Sequence, residues 1–455
     1  MKQGFINFTK KHPVALIFST ALFFRWLWNT LFIFLNYPAG AFTFDSQGYW
    51  QLAENLVLHD SFGRFFDRVW YDEFFRTPLY PAFLAFFKIL SAPLWIALFT
   101  QGLLSALTCV VVYQLALEIG LSKKTAVLAG LMAALDLTSI LFCNFVLTES
   151  LFTLLITAGL LVFSMGIKRK HSLYFYWCGS LLGLAILCRP AGSFLFVILL
   201  LYLAFSNSTR AKKMMHGFLL IGSLLLILSP WLVRNYQLSG RVLISTSIQE
   251  LFFLCPTAQV YGAIYHQSIA QSRLALWQEM HKELGDSSIN NPLLRIDVEK
   301  KISLRMIESH PVAFAMDYLK GFIYFAIKPS GAYWDQQTRR QKGSNSKFFE
   351  NKFQFTKYTN LAKVMTTLQL LELIMKWSLV CLGIWHLWKQ KRYRVMVFLT
   401  AILVYFALMI PGSSAEGRFR IPALAAISLL GAYGLAHMMQ RLSTGKTQDK
   451  LDQTS

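Results

Sequence analysis

Charged side chains in this sequence stand where a charge is costly. After the first long apolar run comes Phe44-Asp45-Ser46-Gln47-Gly48-Tyr49-Trp50, which puts a carboxylate where the chain leaves the membrane. A charge at such a place persists if it pairs, lines a cavity or does chemistry. Arg76, Glu149, Arg189, Arg234 and the trio Glu416, Arg418 and Arg420 share that setting, beside proline or aromatic turns at the ends of apolar runs. A carboxylate there can take a proton from an attacking hydroxyl, and it needs no shifted pKa when the departing group leaves easily, as a phosphate ester does. Arginine suits the other half of that transfer, because its planar fork holds phosphate in two hydrogen bonds and stays charged. Simpler roles compete. Asp45 can cap the helix that follows, Glu149 can favour the first turn of the next, and an interfacial arginine can snorkel.

The elements that must position these groups are helices in a membrane. The chain has 455 residues, 55% hydrophobic and only 15% charged, with a mean hydropathy of +0.45. Apolar runs of about 20 residues recur along it, which predicts a polytopic helical membrane protein. The net charge of +21 would suggest nucleic acid in a soluble protein. Here the excess sits in short clusters between apolar runs, the positive-inside pattern, and no nucleic-acid motif is present, so no nucleic-acid partner is expected. Cys109, Cys143, Cys178, Cys188, Cys255 and Cys381 show no CxxC or zinc spacing and read as small core residues. The run Val14 to Leu35 is too long for a signal sequence and carries Arg25, so it is expected to be retained as a first helix.

The basic clusters order the spans. If the clusters around Lys10/Lys11, Lys123/Lys124, Lys168–Lys170, Arg210–Lys213, Lys389–Arg394 and Arg441–Lys450 are all cytoplasmic, an even number of helices separates each pair. Spans are then predicted over 14–36, 94–117, 125–147, 150–167, 216–232, 366–388, 395–411 and 421–438. The apolar stretch 173–206 is too long for one span and has Arg189-Pro190 at its middle, which predicts a hairpin of two helices turning there. The sum is about ten spans in a multi-pass plasma (inner) membrane protein, with both termini cytoplasmic and the charged site on the extracytoplasmic face. The expected organisation is an N-terminal transmembrane module over 1–233, an extracytoplasmic segment over 234–360, C-terminal helices over 361–440 and a cytoplasmic tail over 441–455. The first outer loop, 37–93, is expected to hold two interfacial helices, 47–58 and 78–90, and the piece 312–328 is expected to be interfacial or partly inserted. Asp136 and Arg25 fall deeper, where a charge is functional or paired.

Six motifs in order carry a family resemblance. They are Asp45-Ser-x-x-Tyr49-x-x-Leu52-Ala53, Arg76-Thr77-Pro78-Leu79-Tyr80-Pro81, Leu147-Thr148-Glu149, Leu187-Cys-Arg189-Pro190, Pro230-Trp231-x-x-Arg234-Asn235-Tyr236 and Glu416-x-Arg418-Phe419-Arg420-x-Pro422. The chain resembles the GT-C membrane glycosyltransferases related to protein O-mannosyltransferases and the aminoarabinose lipid A transferase. The resemblance implies an all-α bundle that transfers a sugar, with inversion, from a polyprenyl-phosphate donor to a glycan, lipid or protein acceptor. It implies Asp45 as the catalytic acid of the first loop and Glu149 as the second acidic position. With it, Arg76, Arg189, Arg234 and Arg418 are expected on the donor phosphate, and Tyr49, Tyr80, Glu416 and Arg420 around the substrate. Eukaryotic members often carry adjacent acids where this chain has Asp45-Ser46, as bacterial members do. Relatives sometimes bind a metal, but the nine histidines show no ligand spacing, so neither metal nor other cofactor is expected. A transporter or flippase, and a polysaccharide polymerase or ligase using a diphosphate lipid, are the competing assignments. The first predicts polar groups at mid-membrane on broken helices and a weak internal repeat; no repeat is evident.

Overall fold

The computed structural model describes residues 12–66, 69–285, 292–339 and 355–452. Helix α1 (Pro13–Asn36) begins with proline, whose missing N–H is no loss in a first turn. It leads into α2 (Phe44–His59), a short antiparallel hairpin of β1 (Gly63–Phe66) and β2 (Val69–Asp72), and α3 (Leu79–Ile89). Then come α4 (Leu94–Glu118), α5 (Lys123–Ala134), the single turn-and-a-half α6 (Leu137–Phe142) and α7 (Glu149–Arg169). Beyond these lie α8 (Leu173–Cys188), α9 (Leu195–Ala204) and α10 (Arg210–Ser239).

The segment after α10 is also helical: α11 (Ser247–Phe252), α12 (Ala258–Tyr265), α13 (Ile269–Leu284), α14 (Pro292–Ser309), α15 (Pro311–Ile327) and α16 (Gly331–Thr338). The chain closes with α17 (Asn360–Lys389), α18 (Tyr393–Leu408), a 3-10 turn over Gly417–Ala423 and α19 (Leu424–Asp452). Among the described residues six helical segments are long and apolar enough to cross a membrane: α1, α4, α7, α10, α17 and Gly417–Arg441. Shorter apolar helices accompany them, α8, α9 and α18 among these. The expected ten full-length spans are thus six long ones and several short ones.

The bundle has two chemically distinct ends. At one end Lys168 and Arg169 pair with Glu118, Arg392 donates to the Gly120 carbonyl, Arg394 to Asn207 and Lys213 to the Ala204 carbonyl. Three basic clusters therefore meet on one rim. The 21 residues of α7 carry the chain about 31 Å from that rim, roughly the thickness of a bilayer's apolar core. Glu149 stands at the far end of α7. The stretch 173–206 is a hairpin as expected: Phe163 on α7 touches both Phe175 at the start of α8 and Tyr202 at the end of α9, so α8 and α9 run in opposite directions and turn at Arg189.

Three elements depart from expectation. Residues 125–147 do not form one helix, because Asp136 caps α6 by accepting from the Ser139 N–H at 2.6 Å and ends α5 before it. Helix α10 does not stop at Pro230; it continues to Ser239, and the Ser229 hydroxyl donates to Leu226 O, the carbonyl that proline leaves without its N–H. The 234–360 segment does not stand apart from the bundle. All eight residues of α16 are buried, against α1 and α17, and Trp377 of α17 donates to Ala326 O at the end of α15.

Candidate functional site

The site lies at the rim opposite the basic one. Thr43, not Asp45, is the N-cap of α2, exchanging hydrogen bonds with Ser46. That leaves the Asp45 carboxylate available, and Arg418 Nη2 donates to it at 2.8 Å. Glu149 opens α7 after Thr148; its Oε1 accepts from Arg189 Nη1 at 2.8 Å and lies 3.9 Å from Arg418 Nη1. Arg418 Nε is 3.0 Å from Glu416, which also accepts from the Tyr333 hydroxyl. The guanidiniums of Arg189 and Arg418 each sit 5.4 Å from the ring of Phe419. Arg76 donates to the backbone carbonyl of Asp45 at 3.4 Å and lies 5.0 Å from the Tyr49 ring. Gly48 makes that approach feasible: a Cβ there would fall 2.4 Å from the Arg76 guanidinium carbon.

Asp45, Glu149 and Glu416 thus face Arg76, Arg189 and Arg418, three charges against three. Their reach differs. The Asp45 side chain is 35% exposed and that of Glu149 only 1%, so Asp45 is the more open carboxylate of the two. Burial pushes the Asp45 carboxyl up, but Arg418, then Arg76 and Arg189, outweigh it and hold it below its ordinary value. Burial above all lifts the Tyr49 phenol to about 12, so it stays protonated at neutral pH. One oxygen of Glu149, Oε2, is buried without a partner. It borders a cavity with room for about one water, lined also by Ser105, Thr108, Ser139 and Thr153.

The break between α5 and α7 sets the height of Glu149. Unwound backbone at membrane depth must find partners inside the protein. Gln101 donates to the carbonyls of Cys143 and Phe145 at 3.0 and 2.8 Å, and Val146 N–H reaches Ala41 O. Arg25 caps the other side of the break, donating to Ala134 O at 2.9 Å and Ala133 O at 3.3 Å, the last carbonyls of α5. Lys376 of α17 pairs with Asp136 and Glu372, while Glu372 accepts from Leu137 N–H. Arg25 and Asp136 are therefore structural, and they do not pair with each other.

Several expected site residues lie elsewhere. Arg234 is not among the site arginines: its fork is spent on the carbonyls of Glu73 and Phe62, both at 2.8 Å, and it packs on Trp231, where it ties down the ends of the β-hairpin. Arg420 donates to Phe325 O and Lys328 O at 2.8 and 3.0 Å, capping α15. Tyr80 is wholly buried behind Tyr49, with its hydroxyl on Gln101 at 2.7 Å. Tyr333 and Gln101 were not foreseen. Tyr333 sits in a polar stretch with no motif, and Gln101 is a lone amide in an apolar helix, whose depth alone is a signal. Among the described residues no three His, Cys, Asp or Glu side chains converge as a metal-holding group.

The family model of dolichyl-phosphate-mannose-protein mannosyltransferases matches residues 76–233, which include Arg76, Glu149 and Arg189 but not Asp45 or Arg418. Among solved structures, the archaeal oligosaccharyltransferase AglB from Archaeoglobus fulgidus, in complex with an inhibitory peptide and a dolichol-phosphate, aligns at TM-score 0.52 and 16% identity over 97% of this chain and 52% of that one. Its form tethered to an acceptor peptide gives 0.54 at 14% identity, over 96% and 51%. The chain thus spans about half the length of these oligosaccharyltransferases. ArnT from Cupriavidus metallidurans aligns at 0.41 and 14% identity, over 94% and 78%. No curated protein matches. The chain has the GT-C fold of membrane glycosyltransferases, as its motifs suggested.

Proposed function

We propose that this protein is an inverting glycosyltransferase that moves a sugar from a polyprenyl-phosphate donor to a hydroxyl of an envelope glycan, lipid or protein acceptor. The observation that carries this is the meeting of Asp45, Arg418, Arg189 and Glu149 at one rim of the bundle, from four separate stretches of chain. Asp45 takes the proton of the acceptor hydroxyl as its oxygen attacks the anomeric carbon. The bond from that carbon to the phosphate oxygen breaks, and its electron pair leaves with the phosphate. Arg418 and Arg189 hold the charge that grows on the leaving phosphate. Glu149, too buried to meet substrate, positions the two arginines. Support for a lipid-phosphate donor comes from the family model's own description and from the dolichol-phosphate in the AglB complex.

The test is Asp45→Asn, assayed for transfer from purified polyprenyl-phosphate sugars. Asn keeps size and polarity but accepts no proton, so turnover is expected to fall about 10²–10⁴-fold with donor binding retained. Wild-type turnover would remove Asp45 as the base. A matched polyprenyl-diphosphate donor separates the polymerase or ligase alternative, which predicts the diphosphate as the better substrate. Comparing envelope glycans by mass spectrometry, with and without the active gene, identifies the acceptor. The basic rim supports a site on the extracytoplasmic face. A cysteine introduced beside Arg189 is then expected to react with an impermeant thiol reagent from outside, and one beside Lys170 only from inside; labelling from the same side would reverse that assignment.

A further inference from the structure

Arg418 is the site arginine that holds the most exposed carboxylate, Asp45. Arg418 is shared among Asp45, Glu416 and Glu149, Arg189 is on Glu149, and Arg76 lies against Gly48 and Tyr49, bonded to the Asp45 backbone carbonyl and with its Nε buried without a partner. A lipid phosphate brings a negative charge and needs guanidinium donors. Arg418, which Asp45, Glu416 and Glu149 surround, can supply its outer donors only by leaving a carboxylate. The carboxylates differ in what losing that partner would mean. Glu149 is 1% exposed and Glu416 13%, so either would be left charged inside the protein. Asp45 is 35% exposed and can be rehydrated. The contact of Asp45 with Arg418 Nη2 is therefore the one that yields.

We propose that Arg418 is a donor-operated mask on Asp45: without donor it holds the base, and the phosphate of a bound lipid-linked donor draws it away, so that Asp45 is released only when a donor is seated. This rests on the reading of the site as a polyprenyl-phosphate sugar transferase and adds an order to it, with the donor before acceptor activation. After transfer the phosphate has gained the electron pair of the broken bond, so it holds Arg418 more strongly than the donor did. Asp45 keeps the acceptor's proton until the lipid phosphate departs. The returning Arg418 then favours the carboxylate, and the proton passes to water. The cycle resets on product release.

The test uses the full-length wild-type protein in lipid nanodiscs with polyprenyl phosphate as the probe. Lipid binding is measured directly, the complex is imaged, and Asp45 is titrated by infrared difference spectroscopy against Asp45→Asn. The expected complex has the Arg418 guanidinium on the phosphate and parted from Asp45, compared with 2.8 Å here. The Asp45 titration midpoint is expected to rise by about one unit or more, the usual size of a lost neighbouring opposite charge. A complex in which the phosphate is bound while Asp45 stays on Arg418 overturns the mask and leaves the transferase reading standing. Failure of the lipid phosphate to bind at all overturns both.

Discussion

The ion pair between Arg189 and Glu149 is expected to be asymmetric, and a double-mutant cycle can measure it. Replacing Arg189 with Met removes the partner 2.8 Å from Glu149 Oε1 and leaves Arg418 Nη1 at 3.9 Å as the nearest charge. Coulomb attraction scales inversely with distance, so Arg418 retains roughly 0.7 of what Arg189 supplied, without the hydrogen bond. Breaking a buried pair from one side costs about 3–5 kcal/mol, and the remaining arginine sets the expectation at the lower end, about 3 kcal/mol. The reverse change, Glu149→Gln, strands Arg189, whose 17% exposure lets water reach it, so about 1 kcal/mol is expected. The double variant lacks the orphan charge and should cost about 1 kcal/mol where additivity predicts about 4, a coupling of about 3 kcal/mol and well outside the additivity of distant sites. The assay is reversible unfolding in mixed micelles by denaturing detergent, at neutral pH. Additive single effects, or a larger loss for Glu149→Gln than for Arg189→Met, would refute the claim that Glu149 is the charge that cannot be left alone.

Gly48→Ala is expected to spare the fold and reduce transfer at least tenfold, because the new methyl displaces only the far end of the Arg76 side chain; full activity would show that the seat of Arg76 beside Asp45 is not used. Glu299 in α14 gives a pH test: burial, then Glu250, lifts its carboxyl to about 8 from an unfolded 4.5, against the pull of Arg295. An acid whose pKa is raised by folding stabilises most when protonated, and that stability is lost as pH climbs from about 4.5 towards 8. Glu299→Gln should therefore match wild type in protease resistance of the α13–α14 region near pH 4.5 and exceed it increasingly up to pH 8; equal resistance at pH 8 would mean that Glu299 is ionised without penalty.

Much of this architecture was legible from local sequence. Apolar length placed the long helices, the basic clusters marked one rim, and Arg189-Pro190 inside an over-long apolar stretch fixed the hairpin turn. The same features brought Asp45, Arg76, Glu149, Arg189, Glu416 and Arg418 to one end. What stayed hidden was pairing across sequence distance. Lys376 reads as a charge spoiling an apolar helix until Asp136, 240 positions away, is set beside it. The break that Asp136 makes is likewise invisible to hydropathy, because residues 137–147 are as apolar as a continuing helix would be.

The arginines show why context at a helix end does not by itself distinguish function from structure. Arg234 and Arg420 looked equivalent to Arg189 and Arg418, a guanidinium at a boundary close to proline or aromatic residues, and Arg25 differed in lying deeper. Their fates diverge with the backbone they meet. The last turn of a helix leaves carbonyls without partners, and inside a membrane protein no water is at hand to satisfy them. Arg25 finds such carbonyls at the end of α5, and Arg420 finds them at the end of α15; Arg234 finds those flanking the β-hairpin. A guanidinium bonded to two or three carbonyls is tied to the fold, even where, as in Arg420, one nitrogen stays without a partner. Arg418 stands in the first turn of the 3-10 segment, and Arg189 follows the last residue of α8, yet both give their side-chain donors to carboxylates. Those bonds can be exchanged for phosphate oxygens of like geometry and charge, whereas a bond to a buried carbonyl cannot be given up without stranding it. An arginine in a membrane bundle is thus available for ligand when its donors rest on carboxylates, and committed to the fold when they rest on buried backbone carbonyls.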